Sequence, residues 1–113
     1  MCEERLGDIA RRPDAIFSTN GPTGLGVLRA LRLCGLATPD DIGIVTFDEL
    51  TADDLFLPAV TTIVQPAFEI GYGAAEILLD RIEGAETGET PVTLRMPATL
   101  KVRDSSRERA KSA

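Results

Sequence analysis

The stretch Ile42-Gly43-Ile44-Val45-Thr46-Phe47 is β-rich and apolar on both of its alternating faces. Side chains of a strand point alternately to opposite sides of a sheet, so a strand of this kind needs cover on both sides. Parallel sheets, whose crossover helices lie on their faces, provide it. Two further compact apolar runs flank this one: Ala15-Ile16-Phe17 within Asp14 to Thr19, and Thr61-Thr62-Ile63-Val64. Helical patterns separate them. From Thr23 to Leu33, Leu25, Val27, Leu28 and Leu31 form a stripe, with Asn20 or Gly21 as cap, Pro22 in the first turn and Gly35 where a helix end wants a left-handed residue. The longest helical pattern runs from Pro66 to about Glu83, with Gly71, Ala75, Leu78 and Ile82 on one stripe. The small residues Gly71, Gly73, Ala74 and Ala75 would let another element approach it closely. This alternation predicts an α/β fold, a parallel sheet flanked by helices, with right-handed crossovers.

The remaining segments are shorter. Residues 1–12 predict an N-terminal helix leading into the core and ended by Pro13. Asp48 to Leu57 is a loop or short helix stopped by Pro58. Val92 to Leu94 and Thr99 to Val102 predict short strands. Residues 13–103 are then the globular part, and 104–113 a solvated polar tail.

Composition narrows the chemistry. With 43% hydrophobic and 27% charged residues among 113, the chain is of ordinary globular make-up, and no apolar run reaches the ~20 residues a membrane helix needs. The net charge is −6; the tail from Asp104 is +1, which leaves −7 on residues 1–103. Nucleic-acid binders concentrate positive charge and stacking aromatics. A chain this acidic, with one Tyr and no Trp, should not bind DNA by itself. It has no histidine, and Cys2 and Cys34 suggest neither a disulfide scaffold nor a metal site. No metal and no cofactor are expected, and a reducing cytoplasm fits best.

Three polar side chains fall immediately after the three best strands: Asn20, Asp48 and Gln65. Ligands of open parallel sheets bind outside the carboxyl ends of the strands, so these groups share one edge. A carboxylate can accept from two neighbouring hydroxyls, and amides both donate and accept, which suits a polyhydroxylated, sugar-like ligand. The bland alternative is that all three are turn residues. Sharper chemistry finds less support. Gly21, Gly24 and Gly26 match no phosphate-loop fingerprint and read as a strand-to-helix turn. Asp48-Glu49 with Asp53-Asp54 has no nucleophile or base beside it, so solvated acids are expected and no catalytic residue is assigned. Cys34 reads as packed rather than reactive.

The run Pro13-Asp14-Ala15-Ile16-Phe17-Ser18-Thr19-Asn20, followed by Gly24-Leu25-Gly26 and Leu31, resembles LacI-type bacterial transcription regulators. So do Gly35-Leu36, Pro39-Asp40-Asp41-Ile42 and Phe47-Asp48-Glu49. Pro58, Thr61-Thr62-Ile63-Val64-Gln65-Pro66, Gly71, Ala75, Leu78-Leu79 and Arg81-Ile82 continue the pattern, and Lys101-Val102-Arg103-Asp104-Ser105 is similar to the family's closing strand. The resemblance covers nearly all of residues 13–106. It implies the carboxy-terminal part of a periplasmic-binding-protein-like core, with a small effector in a cleft between two subdomains. It also implies a separate helix-turn-helix domain that binds operator DNA as a dimer and is not among these residues. By the same resemblance, Asn20, Asp48 and Gln65 face the effector, and the segments carrying Leu25, Leu28, Leu55 and Phe56 belong to a homodimer interface. The segment from Pro66 to about Leu94 crosses to the other subdomain. Gly21, Thr46 and Ala67 depart from the family, which often has an acidic residue, a glycine and an aromatic at these positions. The implied function is effector sensing and dimerisation; the alternative is a fragment of a sugar-binding transport protein.

Overall fold

The computed structural model describes residues 10–50, 59–84 and 90–108. The chain divides into two compact units, Met1–Val64 with Thr99–Ala113, and Gln65–Ala98.

The first unit holds a four-stranded sheet in the order β1-β2-β3-β4 (Ala15–Ser18, Gly43–Phe47, Thr61–Val64 and Thr99–Lys101). β1, β2 and β3 run parallel, in the registers Ala15↔Gly43 to Ser18↔Thr46 and Val45↔Thr61 to Phe47↔Ile63. β4 is antiparallel to β3. The parallel expectation therefore holds for three strands, and the fourth makes the sheet mixed.

Helix α1 (Gly21–Leu33) begins and ends where its sequence dictates. The extended Asn20 accepts from the Thr23 N–H through Oδ1 at 2.8 Å, satisfying one of the donors a helix start leaves without a partner. At the other end Gly35 turns left-handed (φ 68°), and the Leu36 and Gly35 N–H groups donate to Leu31 and Arg32. This is a Schellman ending, which glycine adopts without a Cβ penalty.

Leu31, Ile42, Ile44, Leu50 and Val60 form the buried core, with Ile16, Val27, Leu28, Ala30, Cys34 and Leu36 packed against it. Burial of β2 is uneven. Ile44 and Thr46 are fully enclosed, whereas Gly43, Val45 and Phe47 are half-covered, and Phe17 on β1 is 54% exposed. The expected cover on both faces is thus complete on one face only.

A solvated tail from residue 104 needs correcting. Asp104–Ser106 forms a 3-10 turn in which Ser105 is fully buried. Its Oγ accepts from the Thr61 N–H at 2.8 Å and donates to the Ile44 carbonyl at 2.7 Å, joining β2 to β3. Buried main-chain groups need such partners, which explains the seat of this short polar segment.

In the second unit, helix α2 (Ala67–Ile82) has only Gly73 buried, where an added Cβ would come within 3.3 Å of Met96. The close approach expected of the small residues is made there by 94–96. Val92 to Leu94, expected as a strand, has no regular structure. The stripe of Gly71, Ala75, Leu78 and Ile82 faces outward rather than into a core, with Ile82 70% exposed. The proposed N-terminal helix falls largely outside the described residues.

Candidate functional site

Parallel pairing fixes the level at which β1 and β2 release the chain. Ser18 pairs with Thr46, so two residues further on Asn20 and Asp48 leave the sheet side by side at its carboxyl edge. Gln65 directly follows Val64, the last residue of β3, and is the first residue of the second unit. Asn20 is exposed; Asp48 and Gln65 are half-buried.

Each position has a local cause. Asn20 is committed at Oδ1 to capping α1, so Nδ2 is the group it offers as a donor. Asn20 is thus a turn residue, and it also sits at the predicted edge. Ser18 Oγ donates to the Asn20 carbonyl at 2.8 Å and steadies the bend. Asp48 adopts a left-handed backbone (φ 70°), a region rare for side chains other than Asn and Asp. Its N–H donates to the Ile63 carbonyl at 2.8 Å, which extends the β2–β3 ladder to the turn itself.

Glu49, expected as a solvated acid, is ion-paired. Its Oε1 accepts from Arg103 Nη2 at 2.8 Å and Lys101 Nζ at 3.1 Å. The hydrogen bond from Arg103, and then that from Lys101, holds its carboxyl below the usual value of 4.5. Arg103 also donates through Nη1 to the Val60 carbonyl and to Thr62 Oγ1. Asp53 and Asp54 lie outside the described residues. Among the described residues no group of three or more His, Cys, Asp and Glu sits together as a metal site would require.

The interface candidates separate. Leu25 is 37% exposed on α1, whereas Leu28 is partly buried against the core. Leu55 and Phe56 lie outside the described residues. A shallow open depression lined by Asp14, Pro39, Gly43, Ser106 and Arg107 lies at the amino ends of β1 and β2, away from Asn20 and Asp48.

Residues 1–106 match the family model of a periplasmic binding protein-like domain. The chain is 34% identical over 105 residues to the HTH-type transcriptional repressor PurR of Vibrio vulnificus, covering 93% of this chain and 31% of that one. It is 35% identical over 85 residues to the repressor CytR of Escherichia coli K12, covering 75% of this chain and 25% of the repressor. The chain thus spans less than a third of the length of either. A LacI family transcriptional regulator from Enterococcus faecium, solved with bound ribose, superposes with a TM-score of 0.76 at 30% identity, covering 93% of this chain and 37% of that one. With the family model, the sequence relatives and the superposed fold in agreement, this chain belongs to the periplasmic-binding-protein-like domain family, in the form found in LacI-type transcription regulators.

Proposed function

We propose that this chain is the effector-sensing and dimerisation portion of a LacI-type transcription regulator, with Asn20, Asp48 and Gln65 as the positions that contact a sugar-like effector. The observation that carries this reading is the register that releases Asn20 and Asp48 at one level of the carboxyl edge. Ligands of open α/β sheets bind at that edge. A donor amide beside a carboxylate suits neighbouring hydroxyls, and the ribose bound by the Enterococcus regulator is a molecule of that kind. The repressor names of the two relatives support regulation over transport and over catalysis. In this reading the protein works in the cytoplasm, without a cofactor. Operator DNA is met through a helix-turn-helix domain outside this chain, and self-association uses the surface around Leu25 with Leu55 and Phe56.

Effector binding would act by shifting a two-state equilibrium in proportion to its preference for one state. The test is a nuclear magnetic resonance titration of this chain with ribose, glucose, cellobiose and purine nucleosides up to millimolar concentration. The expected result is a saturable shift of the amides at Asn20, Asp48 and Gln65 with at least one sugar or nucleoside. Shifts confined to other surfaces, or no shift with any compound, would refute the reading.

A further inference from the structure

We propose that Arg103 and Lys101, acting through Glu49, are positioning residues that hold Asp48 in its left-handed turn at the carboxyl edge. The proposal deepens the effector reading and rests on it. Asp48 is held on one side by its own N–H, which bonds Ile63 on β3. On the other side its chain neighbour Glu49 is held by two cations from the last strand and the residues after it, Lys101 on β4 and Arg103 just beyond. Arg103 is itself anchored. Its guanidinium bonds the Val60 carbonyl and Thr62 Oγ1, its N–H donates to Thr61 Oγ1 at 2.8 Å, and its carbonyl accepts from the same hydroxyl. A guanidinium fixed by neutral partners on and just before β3 presents a pre-oriented donor to the carboxylate, so less side-chain freedom is lost in forming the pair. The left-handed conformation is uncommon for a residue with a Cβ, and neighbouring contacts help to hold Asp48 in it.

The experiment compares wild type with Glu49→Gln, and with Glu49→Ala as a second variant. Amide hydrogen exchange is read residue by residue, and a ribose titration is run on each protein. Loss of the clamp should speed exchange at Asp48 roughly fivefold, the scale of losing a partly exposed ion pair in a local opening, while Ile44 and Val45 in β2 stay unchanged. Ribose should bind more weakly to both variants, with at most the small drop in melting temperature expected from losing a partly solvated ion pair. Unchanged exchange at Asp48 in both variants overturns the proposal. Acceleration by one common factor throughout the first unit also overturns it, because that is global destabilisation. If Asp48→Asn leaves ribose binding unaltered, the effector reading fails, and exchange at Asp48 still decides whether the clamp exists.

Discussion

Gly24 of α1 and Thr46 of β2 meet so closely that a Cβ on Gly24 would lie 2.8 Å from both Thr46 Cγ2 and Oγ1. The helix reaches the sheet only because residue 24 has no side chain. Thr46 is completely buried and branched at Cβ, so neither of its two rotating atoms can withdraw without putting the other in its place.

Gly24→Ala is therefore expected to destabilise the chain. Its better helix propensity returns about 1 kcal/mol, while overpacking costs roughly 1–3 kcal/mol. In a Thr46→Ala background the clash is gone, and the same substitution should become stabilising. Thermal unfolding of the double-mutant cycle measures this coupling, and additive effects would deny the contact.

Thr46 Oγ1 is buried and, among the described residues, has no hydrogen-bond partner. Thr46→Val removes a hydroxyl whose loss of water is uncompensated, so it should leave stability unchanged or raise it by up to about 1–3 kcal/mol. A clear drop in the denaturant midpoint would show that the hydroxyl is satisfied.

Ser105→Ala removes one acceptor and one donor at a fully enclosed point, leaving the Thr61 N–H and the Ile44 carbonyl without that partner. The expected loss is about 1–3 kcal/mol in urea unfolding. A change within error would mean that the closing segment is dispensable to the sheet.

Glu49 gives the chain an acid-sensitive contact. Its carboxyl is held below the usual 4.5, chiefly by the Arg103 hydrogen bond and then by Lys101. A depressed folded-state value means the unfolded chain binds the proton first. The contribution is full above the unfolded value and is lost as pH falls through the folded one. Its size is small because the carboxylate is partly solvated. Stability measured from pH 6 down to pH 3 should fall less steeply in Glu49→Gln than in wild type, and parallel curves would contradict the assignment.

Asn20 caps α1, and the proposed effector contact is a second role that one substitution separates from the first. Asn20→Asp keeps an oxygen for the Thr23 N–H and places negative charge at a helix start, so stability should hold or rise slightly. It removes the Nδ2 donor, so affinity for a sugar should fall. Asn20→Ala should lose both, including about 1 kcal/mol of capping. Equal sugar affinity in wild type and Asn20→Asp would restrict this residue to capping.

Much of the fold was legible because each element carries its own local signal. The β2 run, the Asn20-Gly21-Pro22 start and the Gly35 stop of α1 are decided by residues within a turn of one another, and they lie where expected. The placement of Asn20 and Asp48 follows from strand order alone. Contacts between distant segments were not legible. Arg103 and Glu49 are 54 positions apart, and Ser105 and Ile44 are 61 apart; no periodicity links them, and a closing DSS sequence resembles any polar tail. The outward stripe of α2 shows the same limit from the other side. Its helical period is written in the sequence, but what it packs against is not.

The most direct test of the account is the affinity of this chain for ribose before and after Asp48→Ala, measured by the same resonance titration. A carboxylate that accepts from sugar hydroxyls contributes roughly 1.5–3 kcal/mol, so the dissociation constant should rise about 10- to 100-fold. A dissociation constant left where it was would contradict Asp48 as an effector contact, and with it the sensing role assigned to the carboxyl edge.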